Sequence, residues 1–367
     1  MAEVVVIGGG IVGASAAYRL VRRGAQATLV DRSDVGYATA AGAGIVDCPI
    51  ANDSRSGAEL ELLFRACEYY RELIPQLADD GCTDTGYEIV GALMLATDEA
   101  ERERLAQEFD GHLATGELVR LEAPEPKRRF PLLRDDIEAV HLSGRARVDG
   151  RRLRDSLLRA FGKRGGKVIK GAARLLTDAG QVKGVRVGDE SIRAEAVVAA
   201  AGAWGDALGV RLGVYPQRGQ ILHLAVPDLD TSGWPILESY QRHYILTFPK
   251  NRVVAGSTWE DDAGYDYRVT AAGQAKLIAD ALRFAPGLAT ATIVETRVGF
   301  RPKSRDGLPI LGPAPGVDGL FVANGLGESG LTMGPYVGAL VADLACGESA
   351  PFDIEPFSAD RASVRAA

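Results

Sequence analysis

Val4-Val5-Val6-Ile7-Gly8-Gly9-Gly10-Ile11-Val12-Gly13, close to the start of the chain, is the stretch whose reading decides the fold. The β-branched run Val4 to Ile7 suits a short strand buried on both faces of a parallel sheet. Ile11 to Arg23 then reads as a helix that Gly24 stops, and Ala27-Thr28-Leu29-Val30 as a second strand ending at Asp31. Glycines at 8, 10 and 13 give G-x-G-x-x-G between strand and helix. Gly8 allows the tight turn, Gly10 leaves room for a pyrophosphate, and Gly13 lets helix and strand pack closely. The phosphates would rest on the helix N-terminus, whose N–H groups lack intrahelical partners. Asp31, eighteen residues past Gly13, is placed to accept hydrogen bonds from ribose hydroxyls. The pattern predicts a bound dinucleotide and leaves flavin or nicotinamide open.

Outward from this βαβ unit, the chain alternates element types. Arg32 to Ile45 is rich in glycine and alanine, with no third strand directly after it, unlike the continuous winding expected of a nicotinamide-binding domain. Gly57 to Leu77 has helical periodicity, Glu88 to Ala96 is strand-like, and Thr97 to Glu101 resembles a capped helix start. Leu153 to Arg164 reads as an amphipathic helix. Lys167 to Leu176, Gln181 to Val187 and Glu195 to Ala201 read as strands. Between Gln220 and Trp259 lie strand candidates with Tyr244, Leu246 and Phe248 on one face. Leu277 to Phe284 is helical, Leu320 to Asn324 a last apolar strand, and Leu331 to Ala345 a last helix. This order predicts an α/β protein with two domains interleaved in sequence.

Bulk properties narrow the function. A formal charge of −7 gives no electrostatic case for nucleic acid or anionic membrane. The basic clusters Arg151, Arg152, Arg154 and Lys127, Arg128, Arg129 sit among acidic residues and read as solvated faces. Cys48, Cys67, Cys82 and Cys346 form no CxxC, and His112, His141, His223 and His243 are scattered, so no metal site is predicted. No apolar run is long enough to span a membrane, and the glycine-rich start does not read as a signal peptide. Cytoplasmic residence with reduced thiols is the expectation, and a homo-oligomer is compatible with it.

Three later segments extend the argument. Val197-Val198-Ala199-Ala200-Ala201-Gly202-Ala203-Trp204, Pro216-Gln217-Arg218-Gly219-Gln220, and the run Gly299-Phe300-Arg301-Pro302 through Asp306-Gly307-Leu308-Pro309-Ile310-Leu311-Gly312-Pro313 stand far apart. The last is followed by Gly325-Leu326-Gly327-Glu328-Ser329-Gly330-Leu331-Thr332. Together these resemble the D-amino-acid oxidase superfamily, with glycine oxidase, sarcosine oxidase and D-amino-acid dehydrogenase, over nearly the whole chain. Glycines 325, 327 and 330 would let backbone pass close to a flat ring, and the following helix would aim its positive end at the reduced flavin.

The resemblance implies a Rossmann-type FAD-binding domain (1–46, 145–216, 296–358). A smaller α+β substrate domain with a mixed, largely antiparallel sheet (47–144, 217–295) would interleave with it, before a loose tail at 359–367. It implies FAD contacts at Gly8, Gly10, Ile11, Val12, Gly13, Asp31, Arg32, Thr39, Ala40, Ala41, Gly42, Gly44 and Ile45. Further contacts are implied at Ala173, Gly202, Trp204, Arg301, Gly325, Gly327, Glu328, Ser329, Gly330, Leu331 and Thr332. Arg301 would pair with a substrate carboxylate, since a guanidinium stays charged and offers a planar fork. Tyr244 and Trp259 would wall the pocket, Glu328 would stand beside the flavin, and Arg218 would be structural.

The chain departs from relatives in three places. Gly299 to Asp306 lacks the cysteine that tethers flavin in sarcosine oxidases, so FAD is expected to be non-covalent. Val254 stands where those enzymes carry a lysine that assists oxygen. Glu328 stands where some glycine oxidases carry arginine. The expected activity is oxidation of the C–N bond of an amino acid or related amine. Hydride would pass to flavin N5, and the resulting imine would hydrolyse to an oxo acid. An oxidase yielding hydrogen peroxide is favoured over a dehydrogenase of an amino acid or 2-hydroxy acid using another acceptor. A non-enzymatic dinucleotide-binding protein is the remote alternative.

Overall fold

The computed structural model describes residues 3–48, 57–108, 118–208 and 212–361. His112 and the last six residues of the expected tail lie outside them.

Two large sheets carry the structure. The first has six strands in the order Ile310–Pro313, Leu320–Asn324, Ala196–Ala199, Glu3–Ile7, Gln26–Asp31 and Lys167–Lys170. All neighbours are parallel except at the Ile310–Pro313 edge. Val4, Val5, Val6, Val197, Val198 and Val322 are fully buried because helices cover one face and further strands and loops the other. Helix Ile11–Arg22 packs against helix Gly330–Ala345, where Gly338 meets the Val12 carbonyl so closely that no side chain would fit. Helix Gly57–Asp79 packs on the other side of Gly330–Ala345.

The second sheet has eight strands in the order Thr292–Ser304, Val214–Ala225, Arg252–Gly256, Tyr244–Phe248, Ile236–Ser239, Ala92–Ala96, Glu138–Leu142 and Leu118–Leu121. One pair, Ile236–Ser239 with Ala92–Ala96, is parallel and the rest antiparallel. Each face has its own core. Leu222, Ile245 and Val253 pack against helix Ala271–Phe284 on one side. Ile221, Leu246, Phe248 and Val254 lie on the other, toward the parallel sheet. Val254 is thus buried in this core and does not line the cavity described below. Small sheets of three strands each complete the fold (Ala173–Asp178, Gln181–Val187, Glu190–Arg193; Ile45–Val46, Ala146–Arg147, Glu88–Ile89).

Several expectations need correction. The run 88–96 is two strands belonging to different sheets, broken at Gly91, which has a left-handed φ of 72°. The run 167–176 is likewise two strands, since the chain turns at Gly171 and Ala172 to leave the parallel sheet. The thirteen-residue strand Thr292–Ser304 is not among the expected elements, although it pairs along the full length of Val214–Ala225. The described start of the expected tail is anchored: Ala359 is buried, and Arg361 makes a two-point ion pair with Asp306.

Arg151 and Arg152 are exposed, as the solvated-face reading expects, whereas Arg154 is half-buried. Each donates to a named acceptor: the Ala40 carbonyl, Asp84 and the Gly9 carbonyl, respectively.

Candidate active site

The glycine loop is built as the spacing requires. Gly8 has φ of 103°, and a side chain there would collide with the Ala200 carbonyl. One at Gly13 would strike the Gly8 carbonyl. Helix Ile11–Arg22 starts at Gly10 with no side-chain cap, while the Thr39 hydroxyl accepts from the Ile11 N–H at 2.9 Å. Its open N-terminus therefore suits an anion. The Asp31 carboxylate accepts from the Gly9 N–H at 3.0 Å through one oxygen. Its other oxygen accepts from the Ser33 hydroxyl at 3.3 Å and stands 3.6 Å from Arg154.

A continuous cavity of about 440 Å³ runs from this loop to the face of the eight-stranded sheet. Of the expected cofactor contacts, Gly8, Gly10, Ile11, Val12, Asp31, Arg32, Thr39, Ala41, Gly42, Gly44 and Ile45 line it. So do Ala173, Gly202, Trp204, Arg301, Gly327, Glu328, Gly330 and Leu331. Gly13, Ala40, Gly325, Ser329 and Thr332 stand behind the wall. Gly13 sets helix against strand, and the Ala40 carbonyl accepts from Arg151 at 2.9 Å. Gly325, with φ of 72°, packs on Ile310 and Ser304. The Ser329 N–H donates to the Leu326 carbonyl. The Thr332 hydroxyl accepts from the Asp47 N–H at 3.0 Å and donates to the Ile45 carbonyl at 3.3 Å.

The residues fit an extended flavin dinucleotide. Gly10 has no side chain to obstruct a pyrophosphate approaching the backbone, no N-cap side chain closes the helix end, and Asp31 stands at the far end. None of the residues lining the cavity is a cysteine.

At the sheet end stands Arg301. One guanidinium nitrogen donates to the Thr258 carbonyl at 3.0 Å and the Gln217 amide oxygen at 3.3 Å, and the other to the Ser257 hydroxyl at 2.9 Å. Among the described residues no carboxylate lies within ion-pair distance of it. Burial pushes its pKa down from the ordinary arginine value, and nearby Tyr244 and Glu328 only partly oppose this. Tyr244 also lines the cavity, its ring tip against Gly256, and burial raises its phenol pKa.

Trp259 departs from expectation. It lies just beyond the strand Arg252–Gly256 and is not on the cavity wall; its ring instead backs Arg301, whose Cζ is 5.7 Å from the ring centroid. The indole N–H donates to Glu328 at 3.1 Å, and Glu328 pairs with Arg242 at 2.5 Å. Burial alone would raise the Glu328 carboxyl pKa, but the Trp259 bond and the two arginine charges outweigh it and hold the pKa low. Arg218 pairs with Glu260 and Asp266, away from the cavity wall, and is structural.

Other residues of the site were not singled out in the sequence. Gln217 and Ser257 hold Arg301, Gly219 leaves it room, and Tyr37 and Arg154 flank the Asp31 end. Asn324 joins two cavity loops, donating to the Gly202 carbonyl at 2.9 Å and accepting from the Gly325 N–H at 2.8 Å. Only its place after a buried apolar strand marks Asn324 in the sequence.

Comparison with known proteins agrees with this geometry. Residues 3–344 match the family model for FAD-dependent oxidoreductases. The chain belongs to that family. It is an oxidoreductase that uses FAD, on a Rossmann-type FAD-binding fold. The family member YurR of Bacillus subtilis (strain 168), described as an uncharacterized oxidoreductase, is 46% identical, covering 97% of this chain and 98% of its own. Glycine oxidase of Geobacillus kaustophilus (strain HTA426) is 31% identical, covering 98% and 97%. Among solved structures, iminodiacetate oxidase from Chelativorans sp. BNC1 superimposes with a TM-score of 0.90 at 44% identity, covering 97% and 98%. Among the described residues of this family member, no helix is long and apolar enough to cross a membrane.

Proposed function

We propose that the protein oxidises the C–N bond of a small amino acid or N-substituted amino acid, with Arg301 as the clamp for its carboxylate. The observation that carries this reading is Arg301 itself. It is a guanidinium on the cavity wall, held by a carbonyl, an amide oxygen and a hydroxyl, with no carboxylate among the described residues within ion-pair distance to neutralise it. Such a group favours a ligand carboxylate, which can accept from it in bidentate fashion. The relatives named as glycine and iminodiacetate oxidases support the same substrate class.

In this reading the segments of the parallel sheet hold the cofactor, and 47–144 and 217–295 roof the substrate. Bound FAD, held without a covalent link, supplies the two-electron sink. Arg301 fixes the carboxylate, and with it the direction in which the α-carbon presents its hydrogen. Tyr244 and Ile221 exclude water from one side. Loss of hydride from the α-carbon of a neutral amine leaves an iminium ion, the protonated imine, and water then releases an oxo acid and ammonia or a primary amine. The amine must arrive deprotonated. Tyr244, its pKa raised, is a poor base, and Glu328 is already engaged by Trp259 and Arg242. This disfavours 2-hydroxy acids, whose hydroxyl needs a base.

The test is an anaerobic absorbance titration of the holoenzyme with glycine, sarcosine, iminodiacetate, D-alanine and lactate, followed by air. Bleaching by glycine, sarcosine or D-alanine and not by lactate, with colour and peroxide returning in air, is expected. Slow recovery in air would make the enzyme a dehydrogenase, and bleaching by lactate alone would overturn the reading.

A further inference from the structure

We propose that Glu328 is a charge selector that restricts the site to substrates with one carboxylate. The inference rests on the Arg301 clamp reading and specifies its substrate class. Two guanidinium groups attend the same indole: Arg301 with its Cζ 5.7 Å from the Trp259 centroid, and Arg242 at 4.9 Å. Among the described residues Arg301 has no carboxylate within ion-pair distance, whereas Arg242 has one in Glu328. Glu328 is fixed between them, since one of its oxygens accepts from Arg242 and the other from the Trp259 N–H. Glu328 also lines the cavity, whereas Arg242 does not and is largely exposed.

The charge count then decides what the site accepts. The Arg242–Glu328 pair cancels, leaving Arg301 as the one uncompensated charge in the group. A single carboxylate neutralises it. A second carboxylate on the substrate would approach Glu328, and like charges in a partly desolvated site repel. It could reach Arg242 only by displacing Glu328. Side-chain exposures of 61% for Arg242 and 53% for Glu328 make the ion pair itself weak, so its role lies in cancelling charge and not in stability. Arg242 has solvent-side room to turn toward a ligand once its partner is neutral.

Glu328→Gln tests this directly. The amide oxygen can still accept from Trp259, so shape is kept and only charge is removed. In the holoenzyme, acetate and malonate are titrated separately against the flavin absorbance spectrum, and reduction rates with sarcosine and iminodiacetate are compared. The substitution should raise the preference for malonate over acetate about tenfold, the scale of one charged hydrogen bond, and shift the amine pair the same way. Adding Arg242→Ala should abolish that gain. Arg242→Ala alone should weaken acetate binding, because an uncompensated Glu328 then competes for Arg301.

A malonate-to-acetate ratio within twofold of wild type in Glu328→Gln would overturn the selector. So would a gain that survives loss of Arg242. If acetate binding proves indifferent to Arg301→Lys, the clamp reading fails first and takes the selector with it. Acetate binding that depends on Arg301, with an unchanged ratio, refutes the selector alone.

Discussion

Arg301 works only because Gly219, diagonal to it on the neighbouring strand, has no side chain. Gly219 pairs with Gly299, and a Cβ on it would lie 2.7 Å from the Cζ and both terminal nitrogens of Arg301. The Gly219 backbone is unstrained, so the cost of a methyl group there falls on the guanidinium, which must swing from Thr258 and Ser257. Gly219→Ala should therefore weaken acetate binding about tenfold and raise the KM for an amino acid while flavin content stays normal. Absorbance titration and steady-state kinetics check it; unchanged acetate affinity would show that the guanidinium is not constrained there. Arg301 was legible from its Gly-x-Arg-Pro setting, and Gln217 and Gly219 stand in a segment also quoted for its likeness. Their meeting was not legible, because eighty residues separate them and only the strand register brings them together. Trp259 was placed one step wrong for a related reason. Aromatic alternation marks a strand, but the strand ends at Gly256, and the indole is turned behind the arginine.

At the scale of elements, the N-terminal βαβ unit was readable because its strand, turn and helix are contiguous and each glycine has a local task. The helix Gly150–Lys163 was read correctly as amphipathic, but the acceptors that anchor its basic first turn were not legible, because they lie 68 to 145 residues away. Asp149 caps that helix, its carboxylate accepting from the N–H groups of Arg151 and Arg152, and also pairs with Arg252 at 2.6 Å. Burial alone would raise its carboxyl pKa, but the Arg252 bond and charge bring it below the ordinary 3.8. A carboxyl depressed on folding adds stability that is complete above its unfolded value and is lost as pH falls through the folded one. Asp149→Asn keeps an oxygen for the cap and removes the charge. It should cost about 2 kcal/mol near neutrality, at the lower end for breaking a buried pair because Arg252 is partly exposed. The gap in melting temperature between the two proteins should hold from neutrality to about pH 5 and narrow below about pH 4. A gap that stays constant into acid would mean the ion pair contributes nothing.

Taken as a whole, the molecule is organised around its cavity more than around either sheet. The wall draws on stretches within 7–45, 171–174, 200–204, 299–302 and 323–331 and on Gly219, Ile221, Tyr244 and Ser257, so segments far apart in the chain meet there, while none of the described residues in 46–170 lines it. Bound FAD would touch both large sheets at once, and the unfolded chain cannot reproduce that arrangement. A ligand that binds only the folded state stabilises it by mass action, by about 2.7 kcal/mol when free ligand is a hundredfold above its dissociation constant. For a chain of this length that corresponds to a rise in melting temperature of several degrees, about 2–4 °C per kcal/mol. The apoprotein should therefore melt lower than the holoprotein, and its melting temperature should climb with the logarithm of added FAD. Asp31→Ala removes the acceptor placed for the ribose and the anchor of the Gly9 N–H. It should shift that titration to roughly tenfold higher FAD without flattening it. Riboflavin, which lacks the pyrophosphate and the adenosine, should stabilise far less than FAD in either protein. Equal stabilisation by the two would mean that the glycine loop and Asp31 do not hold the cofactor, however well their geometry suits it.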